Sequence, residues 1–286
     1  MKNKFFDIET RDYSPISTKY RTIKTQIPVP DSKYLFDKLI KYEVRSMHGQ
    51  LPVVWDHAKG FQVYDCWGNK WIDFTSTIFV ANAGHSNKKI LKEIKAQLDK
   101  PILHAYNYAT EIRSEYLEYL IKNTPKQFEK AYLISSGSEA TEAALKLMRM
   151  HSKQFDNNKL GIICFEGNYH GRTMGSQMMS HNLKAKEWMG YHDPNIYHLP
   201  FPYPWDNKSL ENPSKFFHES INQLMKKHSL DPFKNISGFM IETFQGWGSI
   251  FYPKEFLQEL EKFSKKNNIL VCYDEMQAGF GRTGEL

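Results

Sequence analysis

Four short stretches carry the residues whose types and spacing could do chemistry. In "SSGSEATEAALKLM", residues 135–148, hydroxylated residues and a glycine precede a run whose Ala140, Ala143, Ala144, Leu147 and Met148 fall on one helical face. The first N–H groups of a helix lack internal partners, so Gly137 and Ser138 stand where an anion such as phosphate can be held. The same residues also suit plain capping, with a serine as the cap and Glu139 or Glu142 at the positive end of the dipole. "EGNYHGRT", residues 166–173, offers aromatic faces in Tyr169 and His170 and, in Arg172, a planar fork suited to a carboxylate. A glycine turn with packed aromatics would read alike. In "ETFQG", residues 242–246, Glu242 and Gln245 either hydrogen-bond a polar ligand edge or turn to solvent at a strand end. "ILVCYDEMQAGFGRTG", residues 269–284, sets Asp274 directly behind an apolar run. A carboxylate there can hold a proton on a heteroaromatic nitrogen and keep that ring cationic.

Other chemistries lack their parts. A serine-hydrolase elbow would need glycines two residues either side of Ser138, and those positions hold Ser136 and Ala140. The run "LVCYDE" resembles a magnesium-holding strand, yet no G-x-x-x-x-G-K-[ST] loop accompanies it. Gly279, Gly281 and Gly284 match G-x-G-x-x-G formally, without the following helix and acid of a dinucleotide site. No H-E-x-x-H or Cys/His spacing points to a metal.

These motifs need a frame that holds them at one edge. Short apolar runs at 131–135, 160–167, 238–244 and 269–275 have the length and residue types of buried strands. Between the last two, Pro253 opens a segment with Phe256, Leu260 and Phe263 at helical spacing, which favours a parallel βαβ unit. Each motif lies just after one of these runs, where open parallel sheets bind ligands. Earlier in the chain, "VYDCWGNKWIDF" flanks Gly68-Asn69 and predicts a β-hairpin tip. Ser86 is the expected cap of a helix that follows, and "EIRSEYLEYLIKN" predicts another. Residues 1–30 read as an extended or poorly ordered lead-in. The expected organisation is an N-terminal arm and small-domain segment over 1–80, followed by a large α/β domain over 81–286.

The net charge of +6 comes from 38 basic and 32 acidic residues, interspersed as in "KEFLQELEKFSKK", which describes a solvated helix face rather than a nucleic-acid surface. Cys66, Cys164 and Cys272 are far apart and odd in number, which disfavours a disulfide framework and suits a cytoplasmic setting. Polar and acidic residues interrupt the N-terminus before an apolar stretch of secretory length develops, and no run approaches membrane-spanning length.

An anion cradle, an aromatic platform, polar groups and a buried acid together suit a flat, phosphorylated, nitrogen-containing cofactor, and pyridoxal 5'-phosphate fits. In order along the chain, "SSGSEATEAALKL", "NYHGRT", "ETFQG" and "DEMQAGFGRTGEL" resemble the motif series of class III aminotransferases, the group with 4-aminobutyrate, ornithine and acetylornithine aminotransferases. "WIDFTSTIFVANAGHS" resembles their N-terminal hairpin and substrate loop. The resemblance implies a fold type I pyridoxal-phosphate enzyme, active as a homodimer on amine and oxo-acid substrates. It implies that Gly137 and Ser138 hold the cofactor phosphate, Tyr169 stacks on the ring, Asp274 pairs with the ring nitrogen, and Gln277 approaches the ring hydroxyl with Glu242 nearby. Arg172 takes the position that often holds a substrate carboxylate.

Two departures from the family pattern shape the expectation. The family's Schiff-base lysine lies beyond the "GFGRTG" loop, and none of the 286 residues matches its motif, so this chain alone is expected not to complete transamination and to be a fragment. A lysine-less binding relative acting as sensor or partner subunit, and an aminomutase or racemase, are the alternatives. Trp247 stands where members using 2-oxoglutarate commonly carry the Glu of Q-G-E, which brings apolar or sugar-like amine acceptors into range.

Overall fold

The computed structural model describes residues 7–44, 50–102 and 104–284, and the chain divides into two compact units, residues 1–110 and 111–286. In the first unit, alternating residues pair into five short strands, β1 (Ile16–Ser17), β2 (Thr22–Ile23), β3 (His57–Lys59), β4 (Gln62–Tyr64) and β5 (Lys70–Ile72), in the sheet order β1-β2-β5-β4-β3. The lead-in thus carries strands of its own, while residues 1–6 lie outside the described residues. The expected hairpin joins β4 to β5, with Val63 opposite Trp71. Its turn is held by Asp65, which accepts from the backbone N–H groups of Trp67 at 3.0 Å and Asn69 at 2.8 Å. Asn69 Oδ1 in turn accepts from the Lys24 N–H at 2.8 Å, tying the turn to the chain after β2.

Helix α1 spans Lys33–Tyr42 and α2 spans Lys88–Leu98, the latter beyond residue 80, where the sequence reading ended its N-terminal segment. The cap of α2 is Asn87, not Ser86: Asn87 Oδ1 accepts from the N–H groups of Lys89 and Ile90. Ser86 sits in the left-handed region and donates its hydroxyl to the Ala58 carbonyl at 2.6 Å, which removes it from capping.

The second unit opens with α3 (Glu111–Lys122) and α4 (Gly137–Ser152). It continues through β6 (Gly161–Phe165), α5 (Met174–Met179), β7 (Ile196–Leu199), α6 (Pro213–His228) and β8 (Ile236–Glu242). A two-stranded ribbon, β9 (Phe244–Gln245) with β10 (Ile250–Phe251), precedes α7 (Lys254–Lys266) and β11 (Leu270–Asp274). The main sheet is parallel throughout, in the order β11-β8-β6-β7. Because side chains alternate along a strand, Ile163, Phe165, Phe239 and Ile241 enter one core with Phe217 of α6 and Phe256 and Leu260 of α7. Ile162, Cys164 and Met240 enter a second with Leu145 and Met148 of α4 and Met179 of α5. Burial on both faces explains why β6 and β8 read as unbroken apolar runs.

One expected strand is absent. Residues 131–135 form no strand; Tyr132, Leu133 and Ile134 are exposed, and no strand lies paired with them among the described residues. Apolar, β-favouring composition cannot make a strand without a neighbour to complete its ladder. Burial pushes the Cys272 thiol up to about 11, and the fully buried Cys164 higher still, so both are core thiols. Among the described residues, no helix is long and apolar enough to cross a membrane.

Candidate active site

Parallel pairing brings the acids of two strand ends side by side: Glu242 closes β8 and Asp274 closes β11, directly opposite one another in the register. Next to them open the N-terminus of α4 and the loop after β6. Together these elements surround a cavity of about 230 Å³ lined by Ser136, Gly137, Ser138, Tyr169, His170, Gly171, Glu242, Asp274, Met276 and Gln277.

At the helix end, both readings of the serine-rich stretch hold at different residues. Ser136 is the cap, its side chain accepting from the Glu139 N–H at 3.3 Å, while Glu139 Oε2 accepts from the N–H groups of Ser135 and Ser136 at 3.0 Å each. The amides of Gly137 and Ser138, which line the cavity, have no hydrogen-bond partner among the described residues. They stand at the positive end of the α4 dipole. Ser138 reaches its place because Gly171, at φ +132°, has no side chain: a Cβ there would sit 2.3 Å from Ser138 Oγ. That hydroxyl accepts from the Arg172 backbone N–H at 3.2 Å.

At the sheet end, Asp274 Oδ2 lies 2.8 Å from His170 Nδ1, and Oδ1 accepts from the Met276 N–H at 3.1 Å. Glu242 accepts from the backbone N–H groups of Tyr169 at 3.2 Å and Gly246 at 3.4 Å. Burial pushes its carboxyl up to about 7 against the pull of those two donors, and the neighbouring Asp274 adds to the rise. Gln277 folds over Gly246, where a Cβ would overlap Gln277 Oε1. That oxygen is buried and has no hydrogen-bond partner.

Of the residues singled out from sequence, Gly137, Ser138, Tyr169, Glu242, Asp274 and Gln277 all line this cavity, and Arg172 does not. The Arg172 side chain is exposed. Sequence reasoning gave His170 only an aromatic face, whereas its ring is the hydrogen-bond partner of Asp274. Asn168 went unnoticed; it is 3% exposed and bridges His170 and Gln245. The spacing of Asn168 and His170, two apart after a buried strand, is the available signal, since alternation brings both to one side. Gln245, read as a candidate for a ligand edge, is fully buried in that network instead.

Outside the cavity, the Trp247 indole N–H donates to Gln245 Oε1 at 3.0 Å. Trp247 groups with Tyr203 and Trp205, whose rings stack at 4.7 Å, and Trp205 and Trp247 are each more than 60% exposed.

Residues 44–286 match the family model "Aminotransferase class-III". Among similar curated proteins, the mitochondrial acetylornithine aminotransferase of Candida glabrata is 36% identical over 79% of this chain and 50% of its own length. The ornithine aminotransferase of Brevibacillus brevis is 32% identical over 86% of this chain and 57% of its own. The chain thus spans about half of such relatives. Among solved structures, taurine:2-oxoglutarate aminotransferase from Bifidobacterium kashiwanohense, in complex with PLP and glutamate, superposes with a TM-score of 0.77 at 22% identity, covering 89% of this chain and 57% of that one. The ornithine aminotransferase of Toxoplasma gondii gives 0.73 at 23% identity, covering 92% and 56%. At such identities the likeness is one of fold.

Proposed function

We propose, because this chain belongs to the class III aminotransferase family, that the whole protein is a pyridoxal-phosphate-dependent aminotransferase. It moves an amino group between an amine or amino-acid donor and a 2-oxo-acid or aldehyde acceptor, as a homodimer in the cytoplasm. The observation that carries the reading is the match between one cavity and one molecule. Two unpartnered amides stand at a helix end, and a carboxylate closes the strand beside them.

The residues present fit the group on chemistry. Gly137 and Ser138 would hold the phosphate through their N–H groups, with Ser138 Oγ beside them. Gln277, which lines the cavity, would approach the ring hydroxyl. Asp274 would hold a proton on the ring nitrogen, as an anion already oriented by His170 and the Met276 N–H. Tyr169 would cover one face of the ring, and its backbone N–H keeps Glu242 in place. When bound, pyridoxal phosphate supplies an electron-poor ring that spreads the negative charge left when a substrate carbon loses its proton. Arg172, exposed, would meet a substrate carboxylate. The aromatic group around Trp247 favours substrates with an apolar or ring-bearing end, since an indole cannot make the salt bridges open to the Glu of Q-G-E.

The test is a titration of the whole protein with pyridoxal phosphate, read by tryptophan quenching and by retained absorbance after gel filtration. Transfer of ¹⁵N from amine donors to oxo-acid acceptors is then followed by mass spectrometry. Retention with donor-dependent transfer supports the reading. A protein that retains none of the cofactor excludes it.

A further inference from the structure

The floor of the cavity continues into a chain of buried hydrogen bonds whose direction can be worked out atom by atom. It begins at the Glu166 carbonyl, which can only accept, 2.6 Å from one side-chain atom of Gln245. That atom must therefore be the amide nitrogen. The other end of the amide agrees, because the Trp247 indole N–H can only donate and lies 3.0 Å from Gln245 Oε1. With its orientation fixed from both sides, Gln245 Nε2 has a second hydrogen, directed at Asn168 at 2.9 Å. The receiving atom is Asn168 Oδ1, so Asn168 Nδ2 faces His170 Nε2 at 3.4 Å. A nitrogen approached by an N–H must present its lone pair. The imidazole proton then sits on Nδ1, which donates to Asp274 Oδ2 at 2.8 Å.

The three central links are buried, Gln245 at 0% exposed, His170 at 2% and Asn168 at 3%, so their hydrogen bonds lie where solvent competes little. The backbone of the same loop is pinned as well: the His170 N–H donates to Ser180 Oγ, and its carbonyl accepts from Thr141 Oγ1, each at 2.8 Å.

We propose that Asn168 and Gln245 are positioning residues that hold His170 as the neutral, Nδ1-protonated tautomer, so that Asp274 keeps its undivided charge for the cofactor. The first half follows from the hydrogen-bond directions alone, and the second rests on the function proposed above. An imidazolium beside Asp274 would share that charge and weaken its hold on a cationic ring. The ring that orients the acid is thus kept from competing for it.

The test is nuclear magnetic resonance on protein with ¹⁵N-labelled histidine, first cofactor-free and then loaded with pyridoxal phosphate. His170 is assigned by the signals lost in His170→Gln. The proposal expects a proton on Nδ1 and a bare lone pair on Nε2 in both states. A protonated Nε2 in the cofactor-free protein overturns it. Asn168→Asp presents only acceptor oxygens to Nε2, so the ring should take a second proton; Asn168→Leu presents nothing, and the ring should stay neutral. Both variants delete the same amide donor, and a purely structural role gives no reason for the ring to gain a proton in the one and not in the other. Identical ring signals in the two would overturn the proposal. In the quenching titration, Asn168→Asp should weaken cofactor retention about tenfold and Asn168→Leu about threefold. A wild-type protein with the expected ring signals that retains no cofactor would remove the functional reading and leave the tautomer standing.

Discussion

The floor and the rim of the cavity are built on opposite terms. On the floor, Gln245, His170 and Glu242 are 0%, 2% and 4% exposed, and the amides and rings there are joined donor to acceptor. At the rim, Trp205 and Trp247 are more than 60% exposed, and Arg172 extends into solvent. A buried polar network leaves little freedom, because each deleted partner strands another in a dry site. An exposed side chain can be exchanged at small cost. The floor thus tolerates little change, and the exposed group is where substitution is cheap.

The sharpest way to break this contrast is Asp274→Ala. Removing one partner of a buried, hydrogen-bonded charge typically costs about 2–5 kcal/mol, so retention of pyridoxal phosphate should fall by about 30-fold or more in the quenching titration. An unchanged dissociation constant would detach the acid from the cofactor. Gln245→Glu strikes the floor from below. It places a carboxylate against the Glu166 carbonyl, an acceptor facing an acceptor in a fully buried position. A loss of about 3–5 kcal/mol of stability is expected from denaturant unfolding. A loss under about 1 kcal/mol would mean that water reaches Gln245.

Much of the floor was legible in the sequence because strand ends and helix starts are local signals. The apolar runs of β8 and β11 end on Glu242 and Asp274, and Gly137 and Ser138 open α4 directly behind its serine cap. The relay was not legible, since Asn168 and Gln245 are 77 residues apart and meet only through the order β8-β6 in the sheet. Residues 131–135 mislead for the converse reason: their composition suits a strand, but a strand is a property of a pair. Ser86 and Asn87 are both good caps, and backbone conformation chose between them.

Glu242 sharpens the contrast through pH. Its folded value of about 7 lies above the usual carboxylate range, so the folded protein binds this proton more tightly than the unfolded chain does. The stabilisation from the protonated form is complete below the unfolded value and is lost as pH rises through about 7. Wild-type protein should therefore lose up to roughly 3 kcal/mol relative to Glu242→Gln between pH 5 and pH 9. Paired thermal melts would detect this, and parallel pH profiles would show that the carboxyl is not desolvated.

The smallest effect on the floor should come from the rim. Trp247→Phe removes the indole N–H that reaches Gln245 Oε1, yet the Glu166 carbonyl still fixes that amide from its other side. Cofactor retention should change by less than about twofold, because a surface substitution rarely moves stability by more than about 0.5 kcal/mol. Trp247→Glu tests the other half of the contrast. It sets an acid beside Trp205 and Tyr203, which favours cationic partners over apolar ones. The ratio of kcat/KM between an apolar amine and a diamine should shift by about tenfold toward the diamine, the scale that one altered pocket contact supplies. If Trp247→Glu instead weakened cofactor retention about tenfold while that ratio held constant, rim and floor would be one coupled network, and the division drawn between them would fail.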